Sequence, residues 1–195
     1  MTSIIKVDTI QSSAGSTVLE QTNATTITLG STGQTILLNA NATNNFAVNT
    51  PAFEAFHNPS QTPSSNTWTK ITLTNETFDT DNAFDTTNSK FTVPSGQAGT
   101  YVFTLDAGGY DSGTGLDIFR LAIYKNGSGV KINTCLDTNA SSLQTAMFSI
   151  NAVLDLAVGD YIEAYINPAY GGTFTTLASA SGTQTRFSGY KLIGA

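Results

Sequence analysis

The chain has 195 residues and 20.5 kDa, a formal net charge of −6 and a sequence pI near 4.4. Its eight basic residues are scattered, which excludes a nucleic-acid footprint and disfavours an anionic membrane surface. Charged residues make up 11 %, against about 25 % in ordinary domains. With Thr, Ser and Asn abundant, that composition predicts an all-β chain.

Residues 1 to about 22 read as a short hairpin, Ile5, Val7 and Thr9 alternating with Lys6, Asp8 and Ile10 before a QSSAG turn. No basic segment followed by an apolar one marks a signal peptide. No apolar run reaches the ~20 residues needed to span a bilayer. From Thr25 to Leu38 two alternating runs flank Gly-Ser-Thr-Gly, with Ile27, Leu29, Ile36, Leu38 and Phe46 as apolar positions. A hairpin of that size is not stable alone. Its apolar residues therefore need partners, which an intertwined three-stranded stalk would supply. Pro51 marks the expected boundary, giving a stalk or anchor over 1–50 and a head over 51–195.

The head begins at Ala52 to Phe56, passes a Pro- and Ser-rich loop, and continues into an expected strand from Thr67 to Thr74. Trp68 reads as a packing anchor near a subunit contact and His57, beside Asn58-Pro59, as solvated. The stretch FDTTNSKFTVPSGQAGTYVFTL, Phe84 to Leu105, organises the rest of the head. Pro94 stops a short strand at Phe91 to Val93, and from Thr100 the residues Tyr101, Phe103 and Leu105 alternate with Thr100, Val102 and Thr104. Such alternation marks a sheet with one buried face. Further strands are expected at 117–125, 130–136, 146–156, 161–166 and 185–193, with Asn126-Gly127 as a hairpin turn. Cys135, the single cysteine, reads as a small buried hydrophobe on a strand. Regular short strands and no helical stretch predict a two-sheet sandwich.

The spacing of Phe84, Asn88, Phe91, Pro94, Gly99, Tyr101 and Phe103 resembles the signature of the complement component 1q head, one of the tumour-necrosis-factor-like jelly rolls. Three later blocks fit in order: LAIYKNG (121–127), LDLAVGDYIEAYI (154–166) and FSGYKLI (187–193). The resemblance implies a ten-strand-type jelly-roll sandwich. It further implies a homotrimer whose ligand-binding heads meet through aromatic strand faces, for which Phe119, Tyr161, Tyr165, Phe187 and Tyr190 are the candidates here. The opening phrase and the TITLG run also resemble marine phage tail-fibre openings and trimeric fibre shafts.

In an up-and-down jelly roll the loops alternate between two ends. The last strand must finish beside the stalk, so the loops at 106–117, 137–142 and 167–183 are expected at the far tip, and 125–129 and 155–160 on the stalk side. The tip loops are long and carry aromatics, so Tyr110, Asp111, Tyr170 and Phe174 are the candidate receptor-binding residues.

Catalytic patterns are missing. A Ser-His-Asp hydrolase needs a positioned histidine, and His57 precedes the sandwich, with no G-x-S-x-G phrase. The acids are too sparse to suggest a glycosidase pair. Zinc ligands and a phosphate-binding glycine loop are lacking. Calcium has two candidate sets, Asp79, Asp81 and Asp85, or Asp106, Asp111 and Asp117, both read first as solvated turns. The expectation is a non-enzymatic, cofactor-free trimeric fibre protein of a bacteriophage virion. Residues 1–50 would dock on other virion proteins, and the head would attach to a host surface protein or glycan. The alternative is a purely structural capsid decoration, head fibre or tail component.

Overall fold

A computed structural model describes residues 50–113, 115–137 and 143–192. Of the stalk expected over 1–50, residues 1–49 lie outside the described residues. Among these there is no helix, and the strands build two antiparallel sheets. In the first, β9 (Thr145–Leu156) pairs one edge of β6 (Gly99–Asp111). The other edge of β6 takes β12 (Arg186–Lys191) and then β11 (Phe174–Thr176). Beyond β12 lie β1 (Ala52–Phe56) and β3 (Asn75–Asp79). The second sheet runs β4 (Phe84–Asp85), β5 (Lys90–Thr92), β10 (Tyr161–Tyr170), β7 (Leu116–Lys125), β8 (Ser128–Asp137). A two-residue strand, β2 (Thr69–Lys70), lies beside β10. This is the expected all-β jelly-roll sandwich.

Period-2 alternation explains the core. Tyr101, Phe103 and Leu105 point inward and are fully buried. Phe53 stacks on Phe84 and Phe91 at ring-centroid distances of 4.8 and 5.1 Å, and Phe103 stacks on Phe187 at 5.8 Å. Offset ring stacks of this kind fill the space between sheets densely.

At one end of the sandwich Asn126 and Gly127 both take positive φ, 51° and 78°, closing β7 onto β8 as the Asn-Gly pair foretold. Asp160 clasps this turn to its neighbour. It pairs with Lys125 Nζ at 2.8 Å, and accepts hydrogen bonds from Asn126 Nδ2 at 2.7 Å and the Ala157 N–H at 2.8 Å. The Lys125 contact, followed by the two hydrogen bonds, holds its carboxyl at about 2. The head's first and last strands end here too, Lys191 N–H donating to the Pro51 carbonyl.

Several expectations need correction. The strand does not continue to 74: the Ile71 N–H still donates to the Ala164 carbonyl of β10 at 2.9 Å, but beyond it side chains take over, Gln61 Oε1 accepting the Thr72 N–H and Ser89 Oγ the Leu73 N–H. β6 runs on through Gly108-Gly109 to Asp111, so the loop expected from 106 is only 112–115. A Cβ on Gly109 would lie 1.8 Å from the Phe174 ring, so the glycine makes room for that ring rather than a turn. β10 also outruns its prediction, passing through Pro168. The Pro168 carbonyl accepts from Asn66 N–H at 2.7 Å, on the side away from β7. Its missing donor faces that same side, so the ladder to β7 loses nothing. Cys135 sits on β8 but is only half-buried, and burial pushes its thiol upward.

His57 is fully buried, not solvated. Its Nδ1 lies 2.5 Å from the Thr72 carbonyl, and its Nε2 lies 2.6 Å from Thr176 Oγ1. A carbonyl only accepts, so Nδ1 carries the proton and Nε2 receives the Thr176 hydroxyl. Burial holds its pKa below the ordinary 6.5. Unfolding therefore takes up a proton below that value. The stability contributed by neutral His57 is complete above about pH 6.5 and declines as pH falls through the window beneath it. Melting temperature measured from pH 7.5 to 5.5 is expected to fall more steeply in the native chain than in His57→Gln. Equal slopes would contradict this.

Candidate functional site

The end opposite the Asn126 turn carries the loops at 112–115 and 171–173. They meet where Gly113 and Gly172 pack backbone to backbone. Of the four residues expected to form a binding tip here, the structure presents one. Tyr110, 40 % exposed, projects from the outer face of β6. Phe174 is fully buried because β11 pairs with β6 and turns its ring over Gly109, 6.0 Å from Phe119. Tyr170 stacks on Phe174 at 5.6 Å and donates its hydroxyl to the Pro63 carbonyl at 2.6 Å. Asp111 is fully buried and accepts the Gly115 N–H at 2.8 Å, which closes the β6–β7 loop. Phe174 and Tyr170 pack the end of the sandwich, while the buried Asp111 bonds through Oδ2 alone, its Oδ1 having no hydrogen-bond partner among the described residues.

The calcium candidates are dispersed. Asp79 accepts the Phe84 and Asp81 N–H groups, at 2.8 and 3.3 Å. Asp85 accepts from Asn88 Nδ2 at 2.6 Å and Asn88 N–H at 2.9 Å, bonds that hold its carboxyl below the ordinary range. Asp106 takes the Arg186 Nε at 3.0 Å, while Asp117 is exposed. Among the described residues no three acidic, histidine or cysteine side chains converge on a metal position. An open cleft of about 580 Å³ lies between β3 and β4, with Glu76, Asp81, Asp85 and Lys90 on its walls.

The five aromatics expected at a subunit interface divide by location. Phe119 and Phe187 are fully buried inside the head, because their strand parity points them at the opposite sheet. Packed there, they have no surface to offer a neighbouring subunit. Tyr190 stands on the outer face of the first sheet, 41 % exposed, and Tyr161 and Tyr165 on the outer face of the second.

The two outer faces differ in chemistry. On the first, the register places Val153, Val102, Tyr190 and Ala52 in one cross-strand row, with Val153 64 % exposed. The next row, Asn151, Thr104, Ser188 and Glu54, is polar. On the second face Tyr124 and Tyr165 stack at 4.0 Å, and Trp68 tilts against Tyr124 at 6.2 Å. Lys70 Nζ pairs with Glu163 Oε1 at 3.0 Å beside them. Burial, then the Glu163 charge, raises the Tyr165 phenol above its ordinary pKa of 10, so it stays neutral. Sequence alone does not pair Trp68 with Tyr124, since residues 68, 124 and 165 meet only through strand register.

A family model for the C1q domain matches residues 52–192. The chain belongs to the C1q domain family. Among curated proteins none matches it. Two kinds of solved structure are similar. The globular domain of zebrafish complement 1qA shares 22 % identity, covering 73 % of this chain and 98 % of that one, with a TM-score of 0.48. Murine APRIL at pH 5.0 shares 13 % identity over 72 % and 98 % of the two chains, with a TM-score of 0.51. C1q and TNF-like domains are typically trimeric binding domains without catalytic activity. This chain carries the fold of that family over residues 52–192.

Proposed function

We propose that this chain is a non-enzymatic, homotrimeric fibre protein of a bacteriophage virion. Residues 1–50 dock on the particle, and the C1q head attaches to the host surface. The single observation that carries the binding role is the C1q domain itself, over residues 52–192, with its outer faces rather than its interior bearing the distinctive chemistry. The row Val153–Val102–Tyr190 supports self-association. Exposed Val153 and Tyr190, with partly exposed Val102 between them, form an apolar row that a second copy can cover, with the carboxylates Glu54 and Asp155 in the flanking rows. In this reading Tyr190, exposed beside Val153 and Val102, takes part in the contact between copies. The virion setting rests on the phage-fibre phrases of the first 50 residues.

The test is to locate the chain on purified particles with a gold-labelled antibody, alongside its native mass. Label at fibre tips and a mass of three chains support the reading. Label spread over the capsid supports the decoration alternative, and absence from particles overturns both.

A further inference from the structure

The outer face of the second sheet presents aromatic surface in an unusual setting. Trp68, Tyr124 and Tyr165 are all partly exposed, two of them stacked and the third tilted 57° against the stack. The register continues the surface sideways, Tyr165 opposite Ala122 and Ala122 opposite Ile132, which is 53 % exposed. Ala122 itself is fully covered, so the row forms a shallow shelf. Rings held this way offer flat area at small cost in side-chain entropy.

The basic groups around the shelf are held in place by hydrogen bonds. Lys70 lies on Glu163 at 3.0 Å and on the Asn88 carbonyl at 2.8 Å. Arg120 Nη1 donates to Asn66 Oδ1 at 3.2 Å and to Asn167 Oδ1 at 3.4 Å. Arg120, bonded only to neutral amides, keeps its charge, but the chain's net charge of −6 opposes a polyanion, while a neutral ligand with hydroxyl groups would meet fixed amide and guanidinium edges. Such a ligand needs one apolar C–H face for the rings and a polar rim for those edges.

We infer that this shelf stacks a sugar ring of a neutral glycan, Trp68, Tyr124 and Tyr165 taking its C–H face and Arg120 its hydroxyl groups. The inference rests on the attachment reading and names the ligand class for it. Because Trp68 is the chain's single tryptophan, its fluorescence reports directly on the shelf.

The experiment titrates the full-length trimer with an array of neutral glucose-, galactose- and N-acetylhexosamine-built oligosaccharides, and with heparin as the anionic control. Native mass is followed throughout. Expected is a saturable change in Trp68 emission with at least one neutral oligosaccharide, none with heparin, and affinity weakened about tenfold or more in Tyr165→Ala. No saturable response to any neutral oligosaccharide, or a response to heparin alone, overturns the inference. So does loss of the trimer in Tyr165→Ala, which would make this face the contact between copies. Retention of the wild-type trimer on bacterial cells is measured in parallel. If cells retain it and no sugar binds, the glycan inference alone fails. If sugar binds and no cell retains it, the attachment reading fails and the shelf stands.

Discussion

Phe103→Ala is expected to destabilise the head by about 3–5 kcal/mol, the usual cost of truncating a buried aromatic. Phe103 is fully buried, stacks on Phe187, meets Phe91 edge-on at 5.7 Å and lies 6.0 Å from Tyr101. Removing its ring takes away partners from both sheets at once, and the flanking strands are too well paired to collapse into the space. Domains are stable by only about 5–15 kcal/mol, so the loss is a large share of the total. At roughly 2–4 °C per kcal/mol for a chain of this size, the melting temperature should drop by about 6–20 °C. A thermal scan by circular dichroism checks it, and a drop under about 2 °C would show that the aromatic stack is not the core of the head.

Val153→Lys tests the assembly surface. Val153 lies on β9, opposite Val102, and is exposed in the single chain, so a lysine there costs the isolated head little, within about 0.5 kcal/mol. Buried between copies, the same ammonium would have to shed its water against an aliphatic and aromatic row, and the carboxylate on the same face, Asp155, is already engaged by the Thr100 hydroxyl. Native mass is expected to fall from three chains to one, with the melting curve of the head otherwise retained. A variant that remains trimeric would place the contact between copies elsewhere, with the Trp68 shelf the first surface to examine.

How far the sequence can be read depends on the range of the interaction involved. Alternation alone locates β6, β7, β9 and β12, because each has one face in the core and one in solvent. Asn126-Gly127 is legible for a different reason, since few other residues accept two consecutive positive φ values. The corrections all concern residues whose surroundings come from distant strands. Phe174 reads as a loop aromatic, yet β11 pairs with β6 and Gly109 leaves space for its ring. His57 reads as solvated beside Pro59, but Thr176, 119 residues away, closes its hydrogen bonding. Parity identifies which face a residue takes, not which sheet that face looks toward, and so Phe119 and Phe187, expected between subunits, belong to the core. Pro168 hides the second half of β10 because its harmlessness depends on which edge its nitrogen faces.

The most direct measurement is adsorption blocking. Purified full-length trimer is added to bacterial cells before virus, and the fraction of particles that adsorb is counted. The expected result is a dose-dependent fall in adsorption that Val153→Lys, as a single chain, reproduces only at much higher concentration, because three linked heads gain avidity over one. Undiminished adsorption at saturating trimer, with the trimer intact, would contradict attachment as the function of this head.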